Sequence, residues 1–329
     1  MNTYITPFRR AAGIVGCSLV SLSIAAPAHA TGVLAGTLIE NTATATYKSG
    51  TGTGTVTSNK VVVKVDELLD VAVATLSTAP ATGTGSTPAV LIYSVTNSGN
   101  GPEAFNLLAD PKITGNGFDG AIKTVVLDSN DNGVYDVGVD TVLTTGAATP
   151  LLAPDKTVKV FVLVTLPAGA SDAETSQVRL TASAVTGTGT PGTGFSGKGE
   201  GGGDAVVGLT TASANSLAAL VASLANITLT KSAVILDPFG TSKPVPGAVV
   251  TYSIAAKVTG SGAADDLHVI DVIPAGTTYV PGSIKLDTAA ITDAADTDAG
   301  TGGASGVDIT LGKVTGGNTR TVVFAVKIN

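Results

Sequence analysis

The stretch that decides the fold is residues 249–283, VVTYSIAAKVTGSGAADDLHVIDVIPAGTTYVPGS. Apolar and polar residues alternate in two runs, and a Gly/Ser/Ala turn at 259–264 separates the runs. The alternating positions are Val250, Tyr252 and Ile254 before the turn, and Leu267, Val269, Asp271 and Ile273 after it. Period-two alternation bounded by Gly and Pro is typical of half-buried antiparallel strands. The stretch therefore predicts a β-hairpin that is part of a larger sheet.

The same pattern occurs earlier in the chain. Residues 91–102, LIYSVTNSGNGP, repeat the opening of the 249–283 stretch, and 157–164, TVKVFVLV, correspond to 319–326, TRTVVFAV. An internal repeat of this length indicates two related domains. Many short strands punctuated by Gly, Pro, Asn and Asp favour β-sandwiches. The predicted fold is all-β, with two Ig-like antiparallel β-sandwich domains, an N-terminal β-hairpin segment and a Gly-rich linker.

Composition changes along the chain suggest the domain boundaries. We predict a signal peptide at 1–30, an N-terminal strand pair at 31–65, a first sandwich at 66–186, a Gly-rich and small-apolar linker at 187–225 and a second sandwich at 226–329. Residues 187–203 are dense in glycine, which predicts flexibility. Residues 216–224 fit either a short amphipathic helix or a lead-in strand, because small Ala and Ser residues do not decide between them.

The turn after the second alternating run resembles a bacterial family. The residues concerned are Asp271, Ile273, Pro274, Gly276, Tyr279, Gly282 and Ser283. Their spacing is similar to the corner D-x-L/I-P-x-G-x-x-Y-x-x-G-S of the bacterial "conserved repeat" surface domain, catalogued as domain of unknown function family eleven. The resemblance implies exported Ig-like β-sandwich proteins of the cell surface. It implies no particular chemistry, because the family has no characterised common activity.

The N-terminus predicts export. Arg9 and Arg10 precede an apolar run, and Ala28-His29-Ala30 is a small-x-small cleavage site. A lipoprotein reading at Cys17 would leave too short an apolar segment before the cysteine. After cleavage the chain has no cysteine, and 16 basic against 25 acidic residues give a net charge of −9. This charge disfavours nucleic acid and anionic membranes as partners. We expect a protein of the periplasm, the outer surface or the medium, with no transmembrane segment after signal cleavage.

The two repeats differ at their ends. In the first, the strand at 158–166 is followed by another at 177–185, whereas in the second the equivalent strand is the last of the sequence given. In the resembled family, the last strand of a domain usually has the motif I-x-N-T-A-x-V/A-x-Y. In this chain that motif lies instead at residues 39–47. An open sheet edge can accept an extended segment from another molecule. The sequence thus raises the hypothesis of a homo-oligomer or polymer formed through residues 31–65. Packing of these strands on their own chain, or a short protected edge, are the alternatives.

One loop suggests an ion site. Residues 128–140, DSNDNGVYDVGVD, place oxygen-bearing side chains at alternating positions and a glycine at the sixth, as calcium loops require. The predicted ligands of a structural Ca²⁺ are Asp128, Asn130, Asn132, the Val134 carbonyl, Asp136 and Asp140. Val139 stands where the bidentate Glu of such loops belongs, so Asp140 would have to substitute. The alternative is an ordinary turn at Asn132-Gly133.

The sequence suggests no catalytic group. Gly192–Gly199 nearly spells a phosphate-binding loop, but Gly199 stands where the Mg²⁺-binding Ser or Thr belongs. His268, the one histidine after the signal, is expected on the outward face of its strand. We therefore expect no enzyme but a structural or adhesive envelope protein. A non-catalytic module that binds a glycan or a protein is the alternative; Tyr135 and Phe195 are its candidate loop aromatics.

Overall fold

The structure is a computed structural model that describes residues 32–144 and 147–329. The predicted signal peptide, residues 1–30, lies outside the described residues. Apart from one 3₁₀ turn at Glu200–Gly202, the regular secondary structure of these residues consists of strands, as the alternating patterns predicted. No helix in this part of the chain is both long and apolar enough to cross a membrane.

The strands follow one another along the chain in three groups. The N-terminal group is β1 (Leu38–Asn41), β2 (Thr44–Ser49), β3 (Gly52–Thr57) and β4 (Val61–Lys64). The middle group is β5 (Glu67–Leu69), β6 (Val71–Thr75), β7 (Ala81–Gly83), β8 (Ala89–Asn97), β9 (Phe105–Asp110), β10 (Ala121–Leu127), β11 (Thr141–Leu143), β12 (Thr157–Thr165), β13 (Thr175–Ala184), β14 (Gly194–Phe195), β15 (Ala205–Val207) and β16 (Ser213–Ala222). The last group is β17 (Asn226–Leu236), β18 (Val249–Thr259), β19 (Ala263–Val272), β20 (Thr277–Tyr279), β21 (Lys285–Leu286), β22 (Ala289–Ala290), β23 (Gly300–Gly303), β24 (Gly306–Thr315) and β25 (Thr319–Ile328).

The first unit, β5–β16, is a closed sandwich. One sheet has the order β11-β10-β12-β8-β6, and the facing sheet has the order β7-β16-β13-β9. Alternate residues of β8 point into the core, so that Leu91, Tyr93 and Val95 are fully buried. Val178 and Leu180 of β13 and Leu220 of β16 meet them from the other sheet. Burial of both inner faces is what stabilises a sandwich.

The expected linker at 187–225 differs from the structure. Residues 213–222 form β16, which pairs with β13 over nine residues, from Thr175↔Val221 to Ser183↔Ser213. Residues 194–195 and 205–207 form β14 and β15; β14 pairs with β15, and β15 pairs with β5. Ala218, Leu220 and Ala222 are buried because alternate residues of β16 face the core. The chain passes from the first unit to the second through residues 223–225, which separate β16 from β17.

The second unit, β17–β25, repeats only part of this arrangement. Its larger sheet has the order β17-β18-β25-β21-β22, with β20 also paired to β25, and its smaller sheet has the order β19-β24-β23. The core lies between β18, β25 and β24, where Ile254, Phe324 and Ile309 are buried. In the described residues β19 pairs on one side only, with β24. Among the described residues, no strand of this unit lies in the places that β13 and β16 occupy in the first unit.

The two units meet in a tight junction. The Asp172 carboxylate of the first unit accepts hydrogen bonds from the Leu224 amide at 2.8 Å, the Ser261 amide at 2.9 Å and the Ser261 hydroxyl at 2.6 Å. A Cβ on Gly260 would stand 2.3 Å from the Leu224 carbonyl oxygen, and its φ is +97°, so both space and backbone require glycine here. These hydrogen bonds lower the pKa of Asp172, and the bond from the Ser261 hydroxyl has the largest effect. Three connecting residues and this carboxylate hold the units together.

The N-terminal strands form one long hairpin. β1 pairs with β4, β2 pairs with β3, and nearly every residue of the four strands is exposed. Only the base of the hairpin is tied to the first unit, where Asn100 accepts from the Ala35 amide through its carbonyl and donates to the Val33 carbonyl through its side chain. A two-stranded hairpin is marginally stable by itself in water. Within residues 32–144 and 147–329, the hairpin strands pair only with one another.

Candidate functional site

The candidate site is the open face of the second unit, and a pair of tyrosines shows why it is open. Tyr93 on β8 is fully buried, and its hydroxyl donates to the Val178 carbonyl of β13 at 2.8 Å. Burial raises the pKa of Tyr93. Tyr252 occupies the matching place on β18, but no β13-like strand lies opposite it. Among the described residues the Tyr252 hydroxyl makes no hydrogen bond, and the ring is partly exposed.

The strand beside Tyr252 is also uncovered. β17 pairs with β18 so that Ile227, Leu229, Lys231, Ala233 and Ile235 lie opposite inward-facing residues of β18. Ile227 and Leu229 are 44% and 57% exposed. In the first unit the corresponding strand is β6, which packs against β16 and β13, and its Val71 is fully buried. The difference follows from the absence of an opposing strand, because the register of the two strand pairs is alike.

A lysine lies at the centre of the open face. The Lys231 ammonium stands 4.3 Å from the centre of the Tyr252 ring and 2.5 Å from Asp271 Oδ2 on β19. The contact with Asp271 is an ion pair rather than a well-directed hydrogen bond. Tyr252 in turn packs on Phe324, with ring centres 5.4 Å apart. Lys231 thus spans the gap between the two sheets, where the first unit has only apolar side chains. We call the surface made by β17, Tyr252, Lys231 and the free edge of β19 the acceptor groove.

The hairpin presents a matching apolar surface. Cross-strand pairs place Ile39 with Val63, Asn41 with Val61, Ala45 with Val56 and Tyr47 with Gly54. The large apolar residues of this set are each 50–56% exposed: Ile39, Tyr47, Val56, Val61 and Val63. The other face pairs Thr44 with Thr57 and Thr46 with Thr55, and near the base of the hairpin Leu38 with Lys64 and Glu40 with Val62, so it is more polar. One face of the hairpin, which we call the apolar hairpin face, is therefore uncovered although it has the composition of a sheet interior.

The predicted calcium ligands come together in one loop between β10 and β11. Asp128 accepts from the Gly133 amide at 2.7 Å and from the Asn132 amide, and Asp140 accepts from the Ser129 and Asp136 amides. Asp136 Oδ2 lies 3.0 Å from the Asn130 side-chain nitrogen and 2.7 Å from that of Asn132. The Asn130 and Asn132 amides lower the pKa of Asp136. The loop is thus closed by its own amides.

A lysine also faces this loop. Lys159 on β12 stands 2.6 Å from Asp131 Oδ1 and 3.8 Å from Asp128 Oδ2, and its proximity lowers the pKa of Asp131. In the described residues no group of three or more carboxylates, imidazoles or thiolates is arranged to hold a metal ion. A calcium site here would consequently use the Asn130 and Asn132 amide oxygens and the Val134 carbonyl beside one or two carboxylates.

A cleft opens in the first unit between β9 and β10. Its volume is about 930 Å³, and its lining is mainly apolar, including Leu107, Leu108, Ile122, Val125 and Leu143. The predicted loop aromatics lie elsewhere. Tyr135 packs edge-on against Phe161, with ring centres 6.1 Å apart. The Phe195 ring covers Gly187, whose Cβ would stand 2.2 Å from it. Both rings therefore stabilise their own loops rather than face solvent as stacking platforms.

The corner motif and His268 have structural partners. The Tyr279 hydroxyl donates to Asp293 at 2.5 Å, and burial followed by this contact raises the pKa of Tyr279 to about 12. Ser283 accepts from the Ala325 amide and so ties the corner to β25. His268 points outward as predicted, between Asp308 and Asp266 at 3.3 Å each, and Asp308 is the main cause of its raised pKa. The second acidic loop, Asp293, Asp296 and Asp298, caps local amides and hydroxyls.

Sequence reasoning missed the residues of the acceptor groove. Lys231 interrupts an apolar alternation in β17, since Ile227, Leu229, Ala233 and Ile235 surround it at even spacing. That interruption was a detectable signal for an unusual interior. The exposure of Leu229 could not be predicted from the sequence, because it depends on whether a strand of the other sheet lies opposite it.

Comparison with known proteins gives no family. No family model matches the chain, so the resemblance to the conserved-repeat domain is not confirmed, and no curated protein matches it. Among solved structures, the C-terminal domain of the Streptococcus agalactiae AgI/II polypeptide BspA is 9% identical with a TM-score of 0.33, covering 80% of this chain and 91% of that one. A Corynebacterium diphtheriae protein named as membrane anchored is 9% identical with a TM-score of 0.21, covering 89% of each chain. At these scores the likeness carries no argument about function; the all-β sandwich architecture rests on the strand pairing described above.

Proposed function

We propose that this protein is an exported structural or adhesive component of the bacterial cell envelope or cell surface, built from tandem β-sandwich units. The observation that carries the proposal is the pairing of two uncovered apolar surfaces in one chain, the apolar hairpin face and the acceptor groove. Monomeric proteins rarely leave such patches exposed unless another molecule covers them. The tight junction at Asp172 supports a mechanical role, because it couples the units through three connecting residues.

Self-assembly by strand exchange is the form of this function that the geometry favours. The base of the hairpin is bonded to Asn100, which lies just beyond the Asn97 end of β8. The second unit begins after residues 223–225, which lie beside Gly83 near the opposite, Ala89 end of β8. Strand β8 is nine residues long, which is roughly 30 Å. A hairpin anchored at one end and a groove at the other suit a head-to-tail contact, and such contacts build fibres unless they close into a ring.

The test is the molar mass of purified residues 31–329 by size-exclusion chromatography with light scattering, beside a variant that lacks residues 31–65. We expect multimers from the longer chain and a single-chain mass after the deletion. A single-chain mass for both would contradict self-assembly.

Calcium binding by the 128–140 loop is a second proposal. Its support is the convergence of Asp128, Asn130, Asn132, Asp136 and Asp140 on one turn, in which Gly133 has a φ of +78°. Titration calorimetry with millimolar Ca²⁺ should give heat that Asp136→Ala removes, with Asp110→Ala as the matched control. Absence of heat from the unaltered chain would overturn the proposal.

A module that binds a small apolar ligand is the alternative function, and the 930 Å³ cleft beside Leu108 favours it. The test is the binding of a fluorescent apolar probe. A probe that binds the unaltered chain but not Ile122→Asp would support this alternative over the structural one.

A further inference from the structure

We infer that the acceptor groove is built for two neighbouring antiparallel strands, and that its occupant is the N-terminal hairpin of a second copy of this chain. The inference rests on the proposed function and adds the residues on both sides of the contact. The first unit serves as the internal reference, since it holds both sandwich sheets in full.

The number of strands follows from the comparison of the sheets. β9 and β19 each follow the Tyr-containing strand of their unit through a glycine-containing turn. β9 is paired with β13, and β13 with β16, whereas the same side of β19 has no partner in the described residues. The free strand edge, Ala263–Val272, and the uncovered inner face of β17 are the places that β13 and β16 would fill. A single added strand would cover the edge of β19 but leave Leu229 exposed.

The hairpin has the required form. Its arms, 38–49 and 52–64, are antiparallel, and each is at least as long as the ten residues of β13 and of β16. The first arm alternates Ile39, Asn41, Ala43, Ala45 and Tyr47. In β13 the buried alternation is Val178, Leu180, Ala182 and Ala184. The first arm shares its two consecutive small residues, at Ala43 and Ala45, and ends on the larger Tyr47. We therefore assign the first arm to the edge of β19 and the second arm to the surface over β17.

Charge favours the same occupant. The hairpin carries Lys48, Lys60 and Lys64 against one acid, Glu40. β19 carries Asp265, Asp266 and Asp271, and β24 adds Asp308 beside it. Asp265 pairs with Lys313 and Asp271 with Lys231. Asp266 and Asp308, which flank His268, are therefore the carboxylates that would face a lysine of the hairpin. Opposite charges on the two surfaces guide the encounter and fix its orientation.

The groove also has a polar group that an incoming strand would satisfy. Tyr93 donates to a β13 carbonyl, so a strand in the equivalent place would bring a carbonyl to the Tyr252 hydroxyl. Lys231 above the Tyr252 ring stands where that strand would lie, and its flexible side chain can turn towards solvent while the strand enters. The Tyr252 ring packs against the core, and its hydroxyl is the group of the groove that would bind the strand.

The experiment is complementation between two variants of residues 31–329. Ala45→Asp places a charge on the apolar hairpin face, and Leu229→Asp places one in the groove; both positions are exposed, so each variant should fold. Thr46→Asp and Thr228→Asp, on the opposite faces of the same strands, are the matched controls. Light scattering should show a single-chain mass for Ala45→Asp alone and for Leu229→Asp alone. A mixture of the two should show a two-chain mass, because the intact hairpin of Leu229→Asp can bind the intact groove of Ala45→Asp. The controls should assemble like the unaltered chain.

The outcomes separate the inference from the function on which it rests. If the unaltered chain assembles and both variants still do so alone, the inference is wrong while self-assembly stands. If the unaltered chain has a single-chain mass, both fail. Hydrogen exchange gives a second measurement: amides of residues 267–272 should exchange at least about tenfold more slowly in the assembly than in Ala45→Asp. Equal exchange rates would overturn the assignment of β19 as the paired edge.

Discussion

The first and second units start from the same sequence pattern and reach different degrees of closure. Tyr93 and Tyr252 stand at equivalent positions, but only Tyr93 is sealed beneath an opposing strand. Val71 is fully buried, whereas Leu229 at the matching place is 57% exposed. Two sheets of like register can therefore form one closed sandwich and one open one. The difference arises from strands far away along the chain, and the exposed surface it leaves is where function is proposed.

The largest expected effect tests burial at the matched pair Val71 and Leu229. Val71→Asp should destabilise the first unit by more than about 3 kcal/mol, because it buries an unpaired charge. Leu229→Asp should change the unfolding free energy of a single-chain species by less than about 1 kcal/mol. Hydrogen exchange resolved by peptide distinguishes the two units. Equal losses would mean that the second unit is as closed as the first.

A smaller effect separates the two tyrosines. Tyr93→Phe removes the hydrogen bond to the Val178 carbonyl and should cost about 1 kcal/mol. Tyr252→Phe should leave the unfolding free energy of the single-chain form unchanged, yet weaken assembly if the incoming strand accepts from Tyr252. Denaturant titration and light scattering of both variants provide the measurement. A stability loss in Tyr252→Phe alone would contradict the comparison.

Lys231 should contribute slightly less to the unfolding free energy than the Tyr93 hydroxyl does. Lys231→Met leaves Asp271, whose side chain is 17% exposed, without its cation, and we expect a loss of about 0.5–1 kcal/mol. The double variant Lys231→Met with Asp271→Asn should recover most of that loss, because no unpaired charge then remains. Thermal unfolding of the three chains checks this. Additive losses would show that the two residues do not interact.

The smallest effect concerns the pH dependence of His268. Its pKa is raised by Asp308 and Asp266, so the stabilising interaction is fully present below pH 6.5 and is lost as the pH rises through the folded-state pKa. Nuclear magnetic resonance of residues 31–329, in which His268 is the one histidine, should give a pKa above 6.5. Asp308→Asn should lower that pKa, with Asp110→Asn as the control. A titration at or below 6.5 would show that the carboxylates do not act on the ring.

Local pattern was sufficient for most of the strands. Strands β8, β12, β18 and β25 overlap the runs 91–102, 157–164, 249–283 and 319–326, whose patterns predicted them. Alternation predicts these elements because side chains of a strand point to opposite faces by geometry. The same rule placed His268 outward and Asp271 inward. The oxygen-bearing residues of the 128–140 loop are held in place by hydrogen bonds within the loop, and their role as calcium ligands stays a prediction.

The chain by itself determined which residues form strands, which of their faces are apolar, and that the pattern occurs twice. The tertiary structure decided which strand lies opposite which. It placed β16, whose Ala and Ser residues left helix and strand undecided, beside β13, and it left β17 and the apolar hairpin face uncovered. The physical reason is that alternation acts over a few residues, whereas burial depends on partners more than a hundred residues away, as the 141-residue separation between Thr75 and Ser216 illustrates.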